Sequence, residues 1–502
     1  MKRPPWAVLA LALVLVGGSL TVVSRPSPEG PRYITDDQGR AIILHGFNTA
    51  GSTKSDPDAM PWIEEQDVEN EYERMGTNFV RFLLQWSALE PEPGQYDEKY
   101  LDAVAERVSW YAERDYHVLL DMHQDLWGQG ITEAGRVGNG APEWATHTDG
   151  LTVEEQEQWE LVYLEPGTMR SFDHFWNTTG EHSELMSHYV RAWRHVADRF
   201  SGEPAVIGYD LMNEPWGGTL QGPEFERGPL AELYRRSITA IRTVDNDSWI
   251  FVEPQAVGVN WGLPSALPPL DDPREGKARI VYAPHIYPLP MDLGKAYGRG
   301  EHGGGDDGRI GGSESSRVWI DRSISLWRRN VLVTADRLEA PIVLGEFGLD
   351  TSSPGAMEYV ERMLALTDEI GAGRAYWSND LDGWGPWLGR ADGEEGEGAK
   401  PGPLAEVMNR PYPRAIAGEP LAVHYDEPAK TLTVSFAEKN DGSVTGPTEI
   451  YVPEREFPEG GIISSSDPEG SWAAEWDAAR RVWKVESAPY LQEHELVVSP
   501  AN

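Results

Sequence analysis

From residue 41 to residue 377, short apolar runs alternate with longer stretches of helical period, and that order admits few folds. Apolar runs bounded by turn residues predict buried strands, and strands separated by helices must pair in parallel. The strand candidates are Ala41 to Leu44, Asn78 to Leu84, Val118 to Met122, Val206 to Leu211, Trp249 to Glu253, Ile280 to Ala283, Ile342 to Leu344 and Arg374 to Trp377. Between them Leu101, Val104, Val108 and Tyr111 mark one helix face, and Leu185, Tyr189, Val196 and Phe200 mark another. Eight such units predict an α/β protein whose residues 30–410 form a closed (β/α)8 barrel, the TIM barrel. After Pro411 the period changes to two, in Leu421 to Tyr425, Thr431 to Phe436, Thr448 to Val452, Arg481 to Val485 and Glu495 to Val498. Residues 411–502 are therefore expected to form a C-terminal antiparallel β-sandwich domain.

Composition narrows the chemistry. With no cysteine there is no disulfide framework, no thiolate metal site and no cysteine nucleophile. A formal charge of −39 would repel nucleic-acid phosphates, so nucleic acid is excluded as a partner. Residues 1–24 carry Lys2 and Arg3, an apolar stretch from Trp6 to Val16 and small residues Gly17, Gly18 and Ser19. That layout predicts a signal peptide and a secreted, extracellular protein; the alternative is an uncleaved membrane anchor.

Glu214, in Tyr209-Asp-Leu-Met-Asn-Glu-Pro-Trp216, and Glu346, in Ile342-Val-Leu-Gly-Glu-Phe-Gly348, follow the fourth and seventh strand candidates. Carboxyls at the C-terminal mouth of a barrel are placed for chemistry, and a pair of them can supply the acid and the nucleophile of a retaining glycosidase. Asn213 adds an amide that can bond a sugar hydroxyl beside the scissile bond. Glu253, after the fifth strand candidate, is a third carboxyl that could help set the acid's pKa but is expected simply to pair with Arg or Lys. The histidines lack the close His-x-x-x-His spacing of a zinc site, so neither a catalytic metal nor a cofactor is expected.

Asn213-Glu214-Pro215 and Gly345-Glu346-Phe347-Gly348 match glycoside hydrolase family 5. More specific are Leu44-His-Gly-Phe-Asn48 with Lys54-Ser55, Asp121-Met-His-Gln-Asp125, Phe172-Asp-His-Phe-Trp-Asn177, Gly217-Gly-Thr-Leu-Gln-Gly222 and Pro284-His-Ile-Tyr-Pro-Leu-Pro290. On these motifs the chain, from about residue 35, resembles the endoglycoceramidases of that family. The resemblance implies that Glu214 is the acid/base and Glu346 the nucleophile, with Lys54, His123, Asp125, Asn213, Tyr287 and Trp377 on the sugar hydroxyls. For Trp377 core packing is a rival reading. Arg81, a charge inside an apolar strand, needs a carboxylate, and Glu346 is the partner consistent with the family. Tyr287 could bond the nucleophile, and His285 could orient the network or be a satisfied buried histidine.

The implied activity is hydrolysis of the β-glycosidic bond between oligosaccharide and ceramide in glycosphingolipids, glucosyl- or galactosyl-linked. A β-glucosidase acting on steryl or other lipid glucosides, or an endo-glucanase, would keep the same chemistry; a non-catalytic glycolipid-binding protein is the distant alternative. A lipid substrate requires an apolar trough, for which Trp216, Leu289, Met291, Trp384 and Trp387 are nominated, and implies peripheral contact with membranes or micelles. The long connection from Gln124 to Glu184 adds Trp127, Trp144, Trp159, Phe172, Phe175 and Trp176 as candidates for substrate contact. Leu126-Trp127-Gly128 departs from the family's pattern and is expected at the substrate mouth.

Overall fold

The computed structural model describes residues 33–131, 138–156, 158–292, 294–298, 314–381, 383–388, 400–439 and 441–501. The expected signal segment 1–24 and the glycine-rich run Gly300 to Gly308 lie outside the described residues.

The first strand, β1 (Ala41–Ile42), does not belong to the barrel. It pairs antiparallel with Tyr412–Ile416, joining Ala41 to Ile416 and Ile42 to Ala415. The first barrel strand is β2 (His45–Asn48), displaced from the apolar run that marked it in the sequence. The run Ala41 to Leu44 is apolar because it is buried between the barrel floor and the C-terminal domain. β2 is polar because its side chains serve buried polar contacts: His45 faces Arg374 at 2.8 Å, and Asn48 donates to Gly345 O at 3.0 Å. Gly46 must be glycine, since a Cβ there would sit 1.7 Å from Phe79 O on the next strand.

β3 (Phe79–Leu84), β4 (His117–Met122), β5 (Val206–Asp210), β6 (Trp249–Val252), β7 (Ile280–Tyr282), β8 (Val343–Leu344) and β9 (Gly373–Tyr376) complete a parallel sheet ordered β7-β6-β5-β4-β3-β2-β9-β8. A parallel bridge between Tyr282 and Ile342 closes the ring. The helices bury the faces expected of them. Glu98–Ala112 starts at Asp97, whose carboxylate accepts from the Lys99 and Tyr100 N–H groups, and turns Leu101, Val104, Val108 and Tyr111 inward. Leu185–Phe200 buries Leu185, Tyr189, Val196 and Phe200.

The C-terminal strands are β10 (Tyr412–Ile416), β11 (Glu419–Asp426), β12 (Thr431–Ala437), β13 (Thr448–Tyr451), β14 (Ile462–Ser465), β15 (Ala473–Asp477), β16 (Val482–Glu486) and β17 (Glu493–Ser499). They form two antiparallel sheets, β1-β10-β13-β16-β15 and β11-β12-β17-β14. Ile450 and Val485 from one sheet meet Val434, Phe436, Leu496 and Val498 from the other in a shared core, the layout of a sandwich. Against the barrel, the Tyr412 hydroxyl donates to Gly76 O at 2.9 Å and the Arg414 guanidinium lies over the Tyr72 and Tyr451 rings. Among the described residues no helix is long and apolar enough to cross a membrane.

Candidate active site

Arg81, fully buried on β3, organises the barrel's C-terminal mouth. A lone buried guanidinium would cost several kcal/mol; this one has a partner for each of its nitrogens. Nε donates to Asp210, Nη1 to Asn48 and Glu346, and Nη2 to Asn213 and Glu253, each at 2.9 Å. Asp121 also lies 2.9 Å from Nη2. The expected pair with Glu346 is present, but Asp121, Asp210 and Glu253 share the same cation. Burial, reinforced by the charge of Glu253, holds the Asp210 carboxyl well above the usual carboxylate range, so the cluster sheds part of its excess negative charge by keeping a proton.

Glu214 lies four residues past the end of β5, on a connection held by its backbone. Asn213 N donates to Met122 O at 3.1 Å, and Gln124 Nε2 bonds the carbonyls of Asn213 and Glu214. The acid itself has a left-handed backbone, with φ of 42°, and its N–H donates to Glu253 Oε2 at 2.8 Å. Its Oε1 accepts from Asn260 Nδ2 at 2.7 Å and faces His285 Nδ1 at 3.0 Å. Glu346 follows β8 by two residues; Oε1 takes the Arg81 bond and Oε2 accepts from the Tyr287 hydroxyl at 3.0 Å. Gly345 beside it has no room for a side chain, because a Cβ would lie 2.7 Å from His285 Nε2.

Glu214, His285 and Glu346 each bring one donor atom to within 4.8 Å of the others. Retaining glycosidases hold their two carboxyl groups about 5–5.5 Å apart. His285 is a buried histidine that orients the network, its Nδ1 facing Glu214 and its Nε2 close to Glu253 at 3.2 Å. Burial disfavours its charge, but Glu253 and Glu346 outweigh that and hold its pKa well above the ordinary value. For Glu214, burial pushes upward, while the bond and charge of His285 bring the net value below the ordinary one. Between His285 and Glu214 the dissociable proton therefore rests on the imidazole.

On one side of the acid pair Lys54 Nζ reaches Asp125 Oδ2 at 2.8 Å and sits 4.0 Å above the Trp377 ring. His123 stacks on Trp377 at 5.4 Å and bonds Asp121 through Nδ1 at 2.8 Å. Burial raises the Asp125 carboxyl, yet Lys54 and His123 together bring it well below the ordinary range. Trp377 is only partly buried and lines the cavity, which decides against the core reading. The same cavity is also lined by Trp159, Leu161, Leu164, Trp216, Val257 and Trp261, with Glu160 and Asp292 among them. The cavity measures about 540 Å³, within the range of small-molecule sites.

The structure thus brings Glu214, Glu346, Lys54, Asp125, Asn213, Tyr287 and Trp377 to one cavity, with His123, Arg81 and His285 behind it. It also corrects several expectations. Trp127, Phe172, Phe175 and Trp176 are core residues; among the aromatics of that long connection singled out in the sequence, Trp159 reaches the cavity. Leu126 and Trp127 are buried rather than placed at the mouth, because Trp127 packs edge-on against Trp86 and Phe172. Leu289 and Met291 do not line the cavity, and Trp387 is buried, its indole N–H donating to Asn379. Glu253 pairs with Arg81, as expected, but also grips the acid's backbone. Asn48, Asp121 and Asp210 sat in recognised motifs without a role; Asn260 comes from the connection after β6 and has no sequence signal.

A parallel barrel with two carboxyls facing each other across its C-terminal mouth is the architecture of a glycoside hydrolase, and sequence comparison agrees. Residues 35–383 match the model of cellulase, glycosyl hydrolase family 5, and residues 410–498 match the glycoside hydrolase family 5 C-terminal domain. The chain belongs to glycoside hydrolase family 5. It is 30% identical over 443 residues to endoglycoceramidase I of Rhodococcus hoagii, covering 85% of this chain and 80% of that protein. It is similar to endo-glycoceramidase II from Rhodococcus sp. in its ganglioside GM3 complex, with a TM-score of 0.83 and 48% identity over 94% of this chain and 100% of that one. The lactosyl-enzyme intermediate of the same protein matches with a TM-score of 0.82.

Proposed function

We propose that Glu214 and Glu346 hydrolyse, with net retention, the β-glycosidic bond between oligosaccharide and ceramide in glycosphingolipids. The observation that carries this is the acid pair sharing one cavity with hydroxyl-binding groups, Lys54, Asp125 and Asn213, and with a set of apolar side chains, Trp159, Leu161, Leu164, Trp216 and Trp261. A glycan needs the first and a ceramide the second. Relatives that bear the endoglycoceramidase name, one of them solved with ganglioside GM3, support the reading.

In the first step a Glu346 oxygen attacks C1, the C1–O bond to ceramide breaks, and Glu214 gives a proton to the departing oxygen. In the second, Glu214 takes a proton from water, the water oxygen bonds C1 and the Glu346 ester is released. His285, 3.0 Å from Glu214 Oε1, supplies the acid's proton. Once Glu346 is an ester its charge is gone, the proton affinity of the His285–Glu214 pair falls, and Glu214 is left as a base.

The N-terminal pattern suits export, and the exposed Trp159 and Trp384 at the cavity, with Leu388 exposed further along the same connection, suit contact with a lipid surface. With a charge of −39, such contact would come from apolar insertion rather than attraction to anionic headgroups. The test is kinetic: Glu346→Gln abolishes turnover, while Glu214→Ala retains activity on activated aryl glycosides and is rescued by azide. Equal, unrescued losses would remove the role assignment.

A further inference from the structure

We propose that His174, Glu181 and His182, outside the catalytic cavity, form a binding site for a zinc-class divalent cation that braces the connection carrying the apolar wall. The three residues bring one donor atom each to within 4.8 Å of the others. Two imidazoles and a carboxylate are a ligand set suited to zinc.

Surrounding carboxylates set both rings up as ligands. His174 Nε2 faces Asp149 at 3.0 and 3.1 Å; a carboxylate only accepts, so that nitrogen carries the hydrogen. Nδ1 then presents a lone pair, at present 2.9 Å from the Thr179 hydroxyl. His182 Nδ1 faces Glu184 at 3.4 Å by the same logic, leaving Nε2 free to ligate. Carboxylate-supported imidazoles of this kind are the usual outer support of a metal-bound histidine. The His147 ring stacks on His182 at 3.7 Å with 9° between planes, which restrains the ligand's orientation. Ligands on one tetrahedral zinc stand about 3.4 Å apart, so small rotations of the partly exposed His182 and exposed Glu181 complete the set.

His174 lies on helix Pro166–Phe175, whose neighbouring residues hold the acid's loop: Asp173 accepts from Thr219 N at 2.8 Å, and the Trp176 indole donates to Trp216 O at 2.7 Å. A cation at His174 would tie this helix to the segment of Glu181 and His182 and stiffen the wall behind Glu214.

The test uses tag-free full-length protein stripped with chelator and titrated calorimetrically with zinc chloride, and separately with cobalt(II) followed by visible absorption. One ion per chain, tetrahedral cobalt bands and a raised thermal midpoint are expected, with all three lost in His182→Ala. Asp149→Asn should weaken binding roughly 10- to 100-fold. Absence of stoichiometric binding, or His182→Ala binding as tightly as the unaltered chain, would overturn the assignment.

Discussion

Replacing Glu253 by Gln tests how the acid is held. Both Glu253 oxygens are acceptors: Oε2 receives the Glu214 N–H at 2.8 Å, and Oε1 receives Arg81 at 2.9 Å while facing His285 Nε2 at 3.2 Å, off the hydrogen-bonding line. A glutamine offers only one oxygen. Its amide group must face either the Glu214 N–H or the guanidinium, donor against donor, and losing a bond of this charged kind costs about 1.5–3 kcal/mol. The bond also offsets the left-handed backbone of Glu214, a conformation that costs a residue with a side chain about 1–2 kcal/mol. A net loss of about 2–3 kcal/mol in transition-state stabilisation lowers kcat/KM on a glycosphingolipid roughly 30- to 150-fold. Because Glu253 acts through the acid, kcat/KM for a 2,4-dinitrophenyl β-lactoside, which needs no proton donor, should fall far less. Equal losses on the two substrates, or wild-type activity on the lipid, in a variant with unchanged circular dichroism would refute the reasoning.

Glu71 is buried, and that burial, against bonds from Thr77, Tyr116 and Asn379, pushes its carboxyl from 4.5 to about 7. Between these values the folded chain keeps a proton that the unfolded chain has released. Its contribution to stability is therefore complete below about 4.5 and is lost by about 7, a change of ~3 kcal/mol at about 1.4 kcal/mol per tenfold. Glu71→Gln should flatten denaturant-measured stability over that window and be the more stable protein at neutral pH; parallel pH profiles would count against the burial argument. Trp159→Ala removes a half-exposed indole from the apolar wall. It should raise KM for ceramide-linked substrates about tenfold while leaving a soluble aryl lactoside unchanged, and a matching loss on both would place Trp159 outside the lipid path.

The acid pair was legible because each carboxyl closes an apolar run, a position that packing does not explain. Arg81 was legible for the same reason, as a charge where the pattern demanded none. β2 was misplaced because strand preference follows burial of apolar side chains, and this strand spends its side chains on His45, Asn48 and their polar partners. Asn260 was invisible because it reaches Glu214 from a connection of irregular conformation, which no periodicity describes. The aromatic connection after β4 was over-read: rings at a barrel mouth are as useful for roofing the core, as Trp127 and Phe175 do, as for touching a substrate.

The pairing of Ala41 with Ile416 has a bearing on biosynthesis. The segment leading into the first barrel strand leaves the ribosome early, yet its hydrogen-bonding partner is made only after the whole barrel has been translated. Until then the amides and carbonyls that face Tyr412–Ile416 stay unmatched, so a nascent chain halted at the end of the barrel carries an exposed sheet edge. The tail is therefore the latch on the beginning of the chain, and a gene trimmed to its catalytic half should yield an aggregating product.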